Sequence, residues 1–212
     1  MKTVDSRKEI FVFGASGHAK VVIDIIEQQG LYDIAFLVDD DTTLKTRTVY
    51  GYKVIGGKSE LLASGIRLGV VAIGSNKARQ SVSRWLLDNG FERITPIHPS
   101  AQLARGVTIG EGTVVMSGVV VNSDSIIGDD VIINTHASID HDCRIGNAVH
   151  IAPRATLCGT VCIGENSFIC AGATIIPNLT IGCNVTVGAG STVIRDIPDN
   201  QIVAGSPARV LK

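Results

Sequence analysis

The most reactive-looking grouping in this chain is a histidine set between two carboxylates, Ile139-Asp140-His141-Asp142-Cys143. A carboxylate beside an imidazole raises its basicity and fixes its tautomer. Such a pair can take a proton from an amine or hydroxyl as it attacks a carbonyl. A solitary surface histidine is usually inert; the flanking acids are what set His141 apart. A second group follows three apolar runs. The turn at residues 14–18 (GASGH) ends the first, Asp39-Asp40-Asp41 the second and Gly74-Ser75-Asn76 the third. A short glycine-bearing turn that opens a helix presents free N–H groups to phosphate. Here the turn is shorter than a full dinucleotide fingerprint, and Gly14 and Gly17 could equally serve the turn itself.

An unbroken period of six organises the elements that carry His141. From Ile97 to Val193 every sixth residue, seventeen in all, is Ile, Leu or Val. The residue four places later is small or β-branched, as in Ala101, Val107, Thr113, Val119 and Ser125. Neither a helix nor an alternating strand has this period. A triangular coil does, with each hexad forming one short strand and a turn, and three hexads closing a circuit. The large aliphatic side chains are predicted to point into the prism and stack between coils. Gly110, Gly128, Gly146, Gly164 and Gly182 recur every eighteen residues and are predicted to line one corner, in turns needing positive φ. His141 stands near a corner, facing out.

Residues 1–93 have a different rhythm. Strands are predicted at 9–13, 34–38 and 70–73, with helices at 19–29 and 76–89. Val21, Val22, Ile25 and Ile26 form the apolar side of the first helix. This alternation implies a small parallel sheet of Rossmann-like type, whose ligands sit beyond the carboxyl ends of its strands. Those ends are the three polar turns described above. The expected organisation is a Rossmann-like nucleotide-binding α/β domain over 1–93 and an all-β parallel β-helix over 94–212.

Composition narrows the function. A formal charge of −1 and 4% aromatic residues offer neither a basic field for nucleic acid nor stacking platforms for bases. No apolar run reaches bilayer-spanning length, and the segment MKTVDSRKEIFVFGASG lacks a signal-peptide pattern. Five cysteines without zinc spacing fit a reducing cytoplasm. Cys143 occupies an inward hexad place, which disfavours a covalent cysteine route.

The motifs FGASGHAKVV, VDD, AIGSNKAR, IHPSA, INTHASIDHDCRIG, IIPNLTIG and GSPAR run through the whole chain. In them it resembles the bacterial sugar acetyltransferases that join a small Rossmann-like, sugar-nucleotide-binding domain to a left-handed hexapeptide-repeat β-helix. The family includes N-acetyltransferases of UDP-linked 4-amino sugars, such as the bacillosamine-pathway enzyme, and proteins like sialic acid O-acetyltransferase. The resemblance implies His141 as general base and Asp142 as the acid that orients it. It assigns acetyl-CoA, the co-substrate, to Asn134, His150, Gly159, Ala171 and Ala189, with Ala189 standing where the family often has glycine. It assigns the nucleotide-linked amino sugar to Ser16, Gly17 and His18 at the phosphates, Asp39 and Asp40 at base and ribose, and Gly74 beside them. It further implies a homotrimer with acetyl-CoA in the groove between two prisms, and direct transfer in a ternary complex.

Alternatives from other classes are a sugar O-acetyltransferase, a non-catalytic sugar-nucleotide sensor and a metal-dependent hydratase. The last would use His136 and His141 as ligands, an arrangement found in β-helical carbonic anhydrases. Ser100 stands where their third histidine would be, so no metal is expected. His98 reads as a capping or junction residue.

Overall fold

The computed structural model describes residues 7–211. Residues 1–6 and 212 lie outside it, and with them the first residues of the segment in which no signal peptide was read.

The chain opens with β1 (Lys8–Phe13), α1 (Gly17–Gln29) and β2 (Tyr32–Val38). A small hairpin follows, β3 (Thr48–Val49) with β4 (Tyr52–Lys53), then α2 (Lys58–Ala63), β5 (Leu68–Val71), α3 (Asn76–Asp88) and β6 (Glu92–Arg93). The sheet has the order β2-β1-β5-β6 and every pairing in it is parallel. Both of its faces are covered, as parallel sheets require. Alternation along β1 shows this: Ile10 and Val12 join the core that holds α1, while Phe11 and Phe13 join Leu61, Val82 and Leu86 on the other side. In α1 the buried residues are Ala19, Val22, Ile23, Ile25 and Ile26, whereas Val21 is 40% exposed. Val21, expected on the apolar side, faces out, and Ile23 is turned inward instead.

From residue 97 the chain winds as a left-handed parallel β-helix of two-residue strands. Its three faces carry six, five and seven strands, the third face ending in two longer strands, Ile202–Gly205 and Ala208–Val210, that pair antiparallel with each other. The first face presents Val120, Ser138, Thr156 and Thr174 outward, the second Ile126, Arg144, Cys162 and Thr180, the third Ile132, His150, Phe168 and Thr186. The inward partners are the residues of the six-residue series. From Val115 onward each is at most 3% exposed, and burial of each stabilises by about 1.5–3 kcal/mol. Ile97, Leu103 and Ile109 are less covered, Leu103 being 38% exposed, because they form the open end of the prism.

The glycine column occupies the corner between the second and third faces, but not for the predicted reason. None of its five members has a positive φ. A Cβ on Gly164 would lie 2.5 Å from the backbone of Gly182 and Cys183 in the next coil, and one on Gly146 would lie 2.8 Å from the N of Glu165. The requirement is close approach of stacked backbone, not a left-handed turn. The left-handed positions form a separate series of period six that runs through all three corners. It includes Asp124, Asp130, His136, Asp142, Ala148, Arg154 and Thr160, with φ between 54° and 62°.

Helix α3 and strand β6 fasten the α/β unit to this second–third corner. Ser83 Oγ donates to Asp130 Oδ1 at 2.7 Å and Arg93 Nη1 meets Asp130 Oδ2 at 2.6 Å. Val114 and Ile132, the outward residues of the third face beneath the α/β unit, are completely buried.

Candidate active site

His141 sits in the turn between the first and second faces, after Ser138–Ile139 and before Arg144–Ile145. The turn is held at both ends by the coil below. The buried Ser125 donates its hydroxyl to the Asp140 carbonyl at 2.7 Å and accepts the Cys143 N–H at 3.1 Å. Asn122 Nδ2 donates to Asp140 Oδ1 at 2.9 Å, and that same oxygen accepts the His141 N–H. The imidazole Nδ1 lies 2.8 Å from Asp142 Oδ2. A carboxylate only accepts, so Nδ1 carries the hydrogen and Nε2 keeps its lone pair. The bond to Asp142, followed by the Asp140 charge, raises the His141 pKa. Asp142 reaches the ring from a left-handed backbone, φ 58°, a conformation that aspartate tolerates better than most residues. One coil further on lies Gly159. A Cβ there would lie 2.7 Å from His141 Cε1 and Nε2, so the ring rests on bare backbone.

Cys143 is buried, donates its Sγ–H to the Cys158 carbonyl at 3.3 Å and has its pKa raised, chiefly by burial. It behaves as packing. His136 lies on a different corner from His141, over Gly118, and His98 Nδ1 accepts the Ser100 N–H across its own turn. Among the described residues no group of three or more metal-ligating side chains converges.

The remaining predicted residues gather elsewhere. His150 projects from the third face, its ring stacked on Phe168 at 4.9 Å between centroids. Its Nε2 lies 3.1 Å from Asn134 Nδ2, and the Asn134 Oδ1 accepts the Thr135 N–H, which fixes the amide's orientation. Ala171 and Ala189 are exposed and stacked on the corner between the third and first faces, the corner that also bears Asn134; the Ala171 carbonyl accepts the Gly190 N–H. Across from His150 the tip of β5 contributes Gly74. Gly74, Ser75, Asn76, His150 and Phe168 border a cleft of about 590 Å³.

The tip of β1 is shaped by Gly14, where φ is +120° and a Cβ would meet the Ala72 carbonyl oxygen at 2.6 Å. Asp39 binds this tip to its own loop: Oδ2 accepts the Ala15 N–H and Oδ1 the Asp41 N–H, both at 2.9 Å. Asp40 is paired with Lys58 at 3.2 Å. Ser16 precedes α1 without capping it, and Gly17 is its first residue, so the first-turn N–H groups stay available to an anion. His18 has its pKa lowered to about 4 by burial and then by Arg79. His150 has its pKa lowered to about 3 by burial, Arg79 and His18. Both are neutral near pH 7.

The single chain thus carries the predicted site residues in two separate groups, each half of the expected set. His141, Asp142 and Gly159 occupy the corner opposite the third face, while His150, Asn134 and the α/β tips lie on and around that face. Sequence reasoning missed Ser125, hidden in the series of small inward residues, and Arg79, which touches the tip of β5 and the second–third corner together.

These features are those of the hexapeptide-repeat β-helix class with an α/β domain at its N-terminal side. Residues 9–86 match the PglD N-terminal domain and residues 124–159 the bacterial transferase hexapeptide (six repeats). The chain is 42% identical to perosamine N-acetyltransferase PerB of Caulobacter crescentus, solved in complex with CoA and GDP-perosamine. That superposition covers 98% of this chain and 99% of the other, with a TM-score of 0.92. It is 33% identical over 137 residues to a GDP-perosamine N-acetyltransferase of Escherichia coli O157:H7, covering 63% of this chain. It is 38% identical over 116 residues to UDP-N-acetylbacillosamine N-acetyltransferase of Bacillus subtilis, covering 52% of this chain. The matched stretches span 62% and 52% of these two relatives' own lengths. The chain belongs to the hexapeptide-repeat sugar acetyltransferase family that carries this N-terminal domain.

Proposed function

We propose that the protein transfers an acetyl group from acetyl-CoA to the amine of a nucleotide-linked 4-amino-4,6-dideoxy sugar, with GDP-perosamine the first acceptor to test. The observation that carries this reading is the His141–Asp142 pair seated on Gly159. The full-length likeness to a protein that holds CoA and GDP-perosamine supports the choice of donor and acceptor.

In this mechanism the neutral amine attacks the thioester carbonyl carbon while His141 Nε2 takes its proton. The imidazolium is stabilised by Asp142. Collapse of the tetrahedral intermediate breaks the C–S bond, the proton passes to the departing sulfur, and amide and free CoA result. The Gly159 N–H, which finds no acceptor among the described residues, is the donor assigned to the developing oxyanion. Asn134, His150 and the exposed backbone of Ala171 and Ala189 hold the acetyl-CoA arm. Ser16, Gly17 and His18 receive the nucleotide phosphates, Asp39 and Asp40 lie towards base and ribose, and Gly74 borders the sugar.

Because the two half-sites stand on opposite sides of one prism, the site is completed when a second copy brings its His141 corner to the Ala171–Ala189 corner of the first. Three copies close such a ring, so a homotrimer is the proposed assembly. Among the described residues no helix is long and apolar enough to cross a membrane, and we assign the protein to the cytoplasm, where acetyl-CoA and activated sugars are available. The division into a nucleotide domain (1–93) and an acetyl-transfer domain (94–212) is part of the same proposal.

The test is CoA release followed with a thiol reagent, using GDP-perosamine, a UDP-linked 4-amino sugar and free sialic acid, with His141→Ala as control. Turnover confined to a nucleotide-linked amine and abolished in the variant is the expected result. Turnover with sialic acid alone would move the activity to O-acetylation, and no turnover with any acceptor would leave a binding protein. An active monomer in sedimentation would refute the shared site.

A further inference from the structure

Arg79 is completely buried on α3, where long cationic side chains are seldom found without a task. All five of its N–H groups are engaged. Nη1 donates to the carbonyls of Ile73 and Gly74, at 3.1 and 3.2 Å, at the tip of β5. Nη2 donates to Asn76 Oδ1 and to the carbonyl of Ala148, both at 2.9 Å. Nε donates to the carbonyl of Asp130 at 2.7 Å. Asp130 and Ala148 are left-handed residues one coil apart on the second–third corner. Asn76 extends the row, its Nδ2 donating at 3.0 Å to the carbonyl of Asn166, the left-handed residue one coil further. Two side chains from the first turn of α3 therefore grip three successive carbonyls of the β-helix, and the same guanidinium holds the loop that faces His150 across the cleft.

We infer that Arg79 is a positioning residue for the acceptor: it sets the height and angle of the Gly74–Asn76 loop against the β-helix, and so where the nucleotide-linked sugar lies relative to the acetyl donor. This deepens the function proposed above and rests on it. Geometry makes arginine specific here. A lysine has three donors on a point charge and cannot span five acceptors in a plane. With lysine at this position the loop loses most of its tie to the second–third corner while the Ala171–Ala189 strip, on another corner, is untouched.

The experiment uses the full-length protein, with Arg79→Lys and Asn76→Ala as variants. KM is measured separately for acetyl-CoA and for GDP-perosamine, alongside calorimetric binding of GDP and thermal unfolding. Arg79→Lys is expected to raise the KM for the amino sugar on the order of tenfold or more, since small displacements of positioning groups have effects of that size. The KM for acetyl-CoA is expected to stay at the wild-type value. Asn76→Ala, which leaves Arg79 in place, is expected to shift the same parameter in the same direction by less, and it carries the test if Arg79→Lys does not fold. Unchanged acceptor KM in folded variants would overturn the inference while leaving the function standing. Equal rises in both KM values, or a fall in kcat alone, would make Arg79 merely structural and overturn it as well. A wild-type protein that neither binds GDP nor turns over any amino sugar would overturn the function and the inference with it.

Discussion

Gly159→Ala probes the proposed catalytic pair without changing either of its members. The residue has no positive φ, so alanine meets no backbone penalty there, and its new methyl would lie 2.7 Å from His141 Cε1 and Nε2. Carbon contacts are comfortable at about 3.5–4.0 Å, so the ring must retreat by roughly 1 Å. His141 is exposed and can swing outward without opening a cavity, so stability should change little. The proton acceptor then sits about 1 Å from its working position, a displacement worth on the order of 10²-fold in rate. The assay is thiol-detected CoA release at saturating acetyl-CoA, compared with His141→Ala, for which loss of a general base predicts about 10²–10⁴-fold. The double variant should be no slower than His141→Ala alone, because both changes act through one group. Wild-type turnover in a folded Gly159→Ala protein would show that the ring is not used where it lies, and would refute the reasoning.

Three further outcomes follow from the geometry. Asp142→Asn removes the main influence raising the His141 pKa, so the acid limb of the kcat/KM profile should move to lower pH with a reduced plateau; an unmoved limb counts against the pair. His18 and His150 have folded pKa values of about 4 and about 3 against an ordinary 6.5. The unfolded chain binds their protons first as pH falls, so stability is lost from about pH 6.5 downward, by roughly 2 kcal/mol per histidine at pH 5. Urea titrations at pH 7.5 and 5 should show this loss, reduced in His150→Gln. Gly164→Ala pushes a methyl to 2.5 Å from the next coil's backbone and should destabilise by at least about 1–3 kcal/mol, whereas Gly172→Ala, with open space but φ +67°, should cost roughly 1–2 kcal/mol through its backbone alone.

The β-helix was legible because its signal repeats: one inward aliphatic every six residues survives any single exception. The reason for the glycine column was not, since turn glycine and stacking glycine look alike until the next coil is in place. Val21 and Ile23 were exchanged because a short helix flanked by apolar residues gives no sharp boundary to its buried side. The His141–Asp142 pair could be read from adjacency in the chain, and the structure adds that Nδ1 points to Asp142 and that Ser125 clamps the turn. Arg79 carried no local signal. Its partners Asp130 and Ala148 lie 51 and 69 residues away, and only the docking of two differently built units brings them together. The neutral state of His18 depends on that same burial.

The constant eighteen-residue circuit, seen in pairings such as Val120 with Ser138 and Ser138 with Thr156, gives the chain a cylindrical coordinate system. Position within the circuit is an angle, and the number of circuits completed is a height. His141 and Gly159 share an angle and differ by one step of height. Removing a single hexad between Gly118 and His141 would leave hexads able to wind and pack, yet turn everything after it by a third of a circuit relative to the α/β unit. His141 would then point from a different edge. Insertions and deletions of whole hexads in this protein therefore fall into two kinds: three at a time, a full circuit, which changes its length, and one or two at a time, which keep the inward register and displace the proposed chemistry.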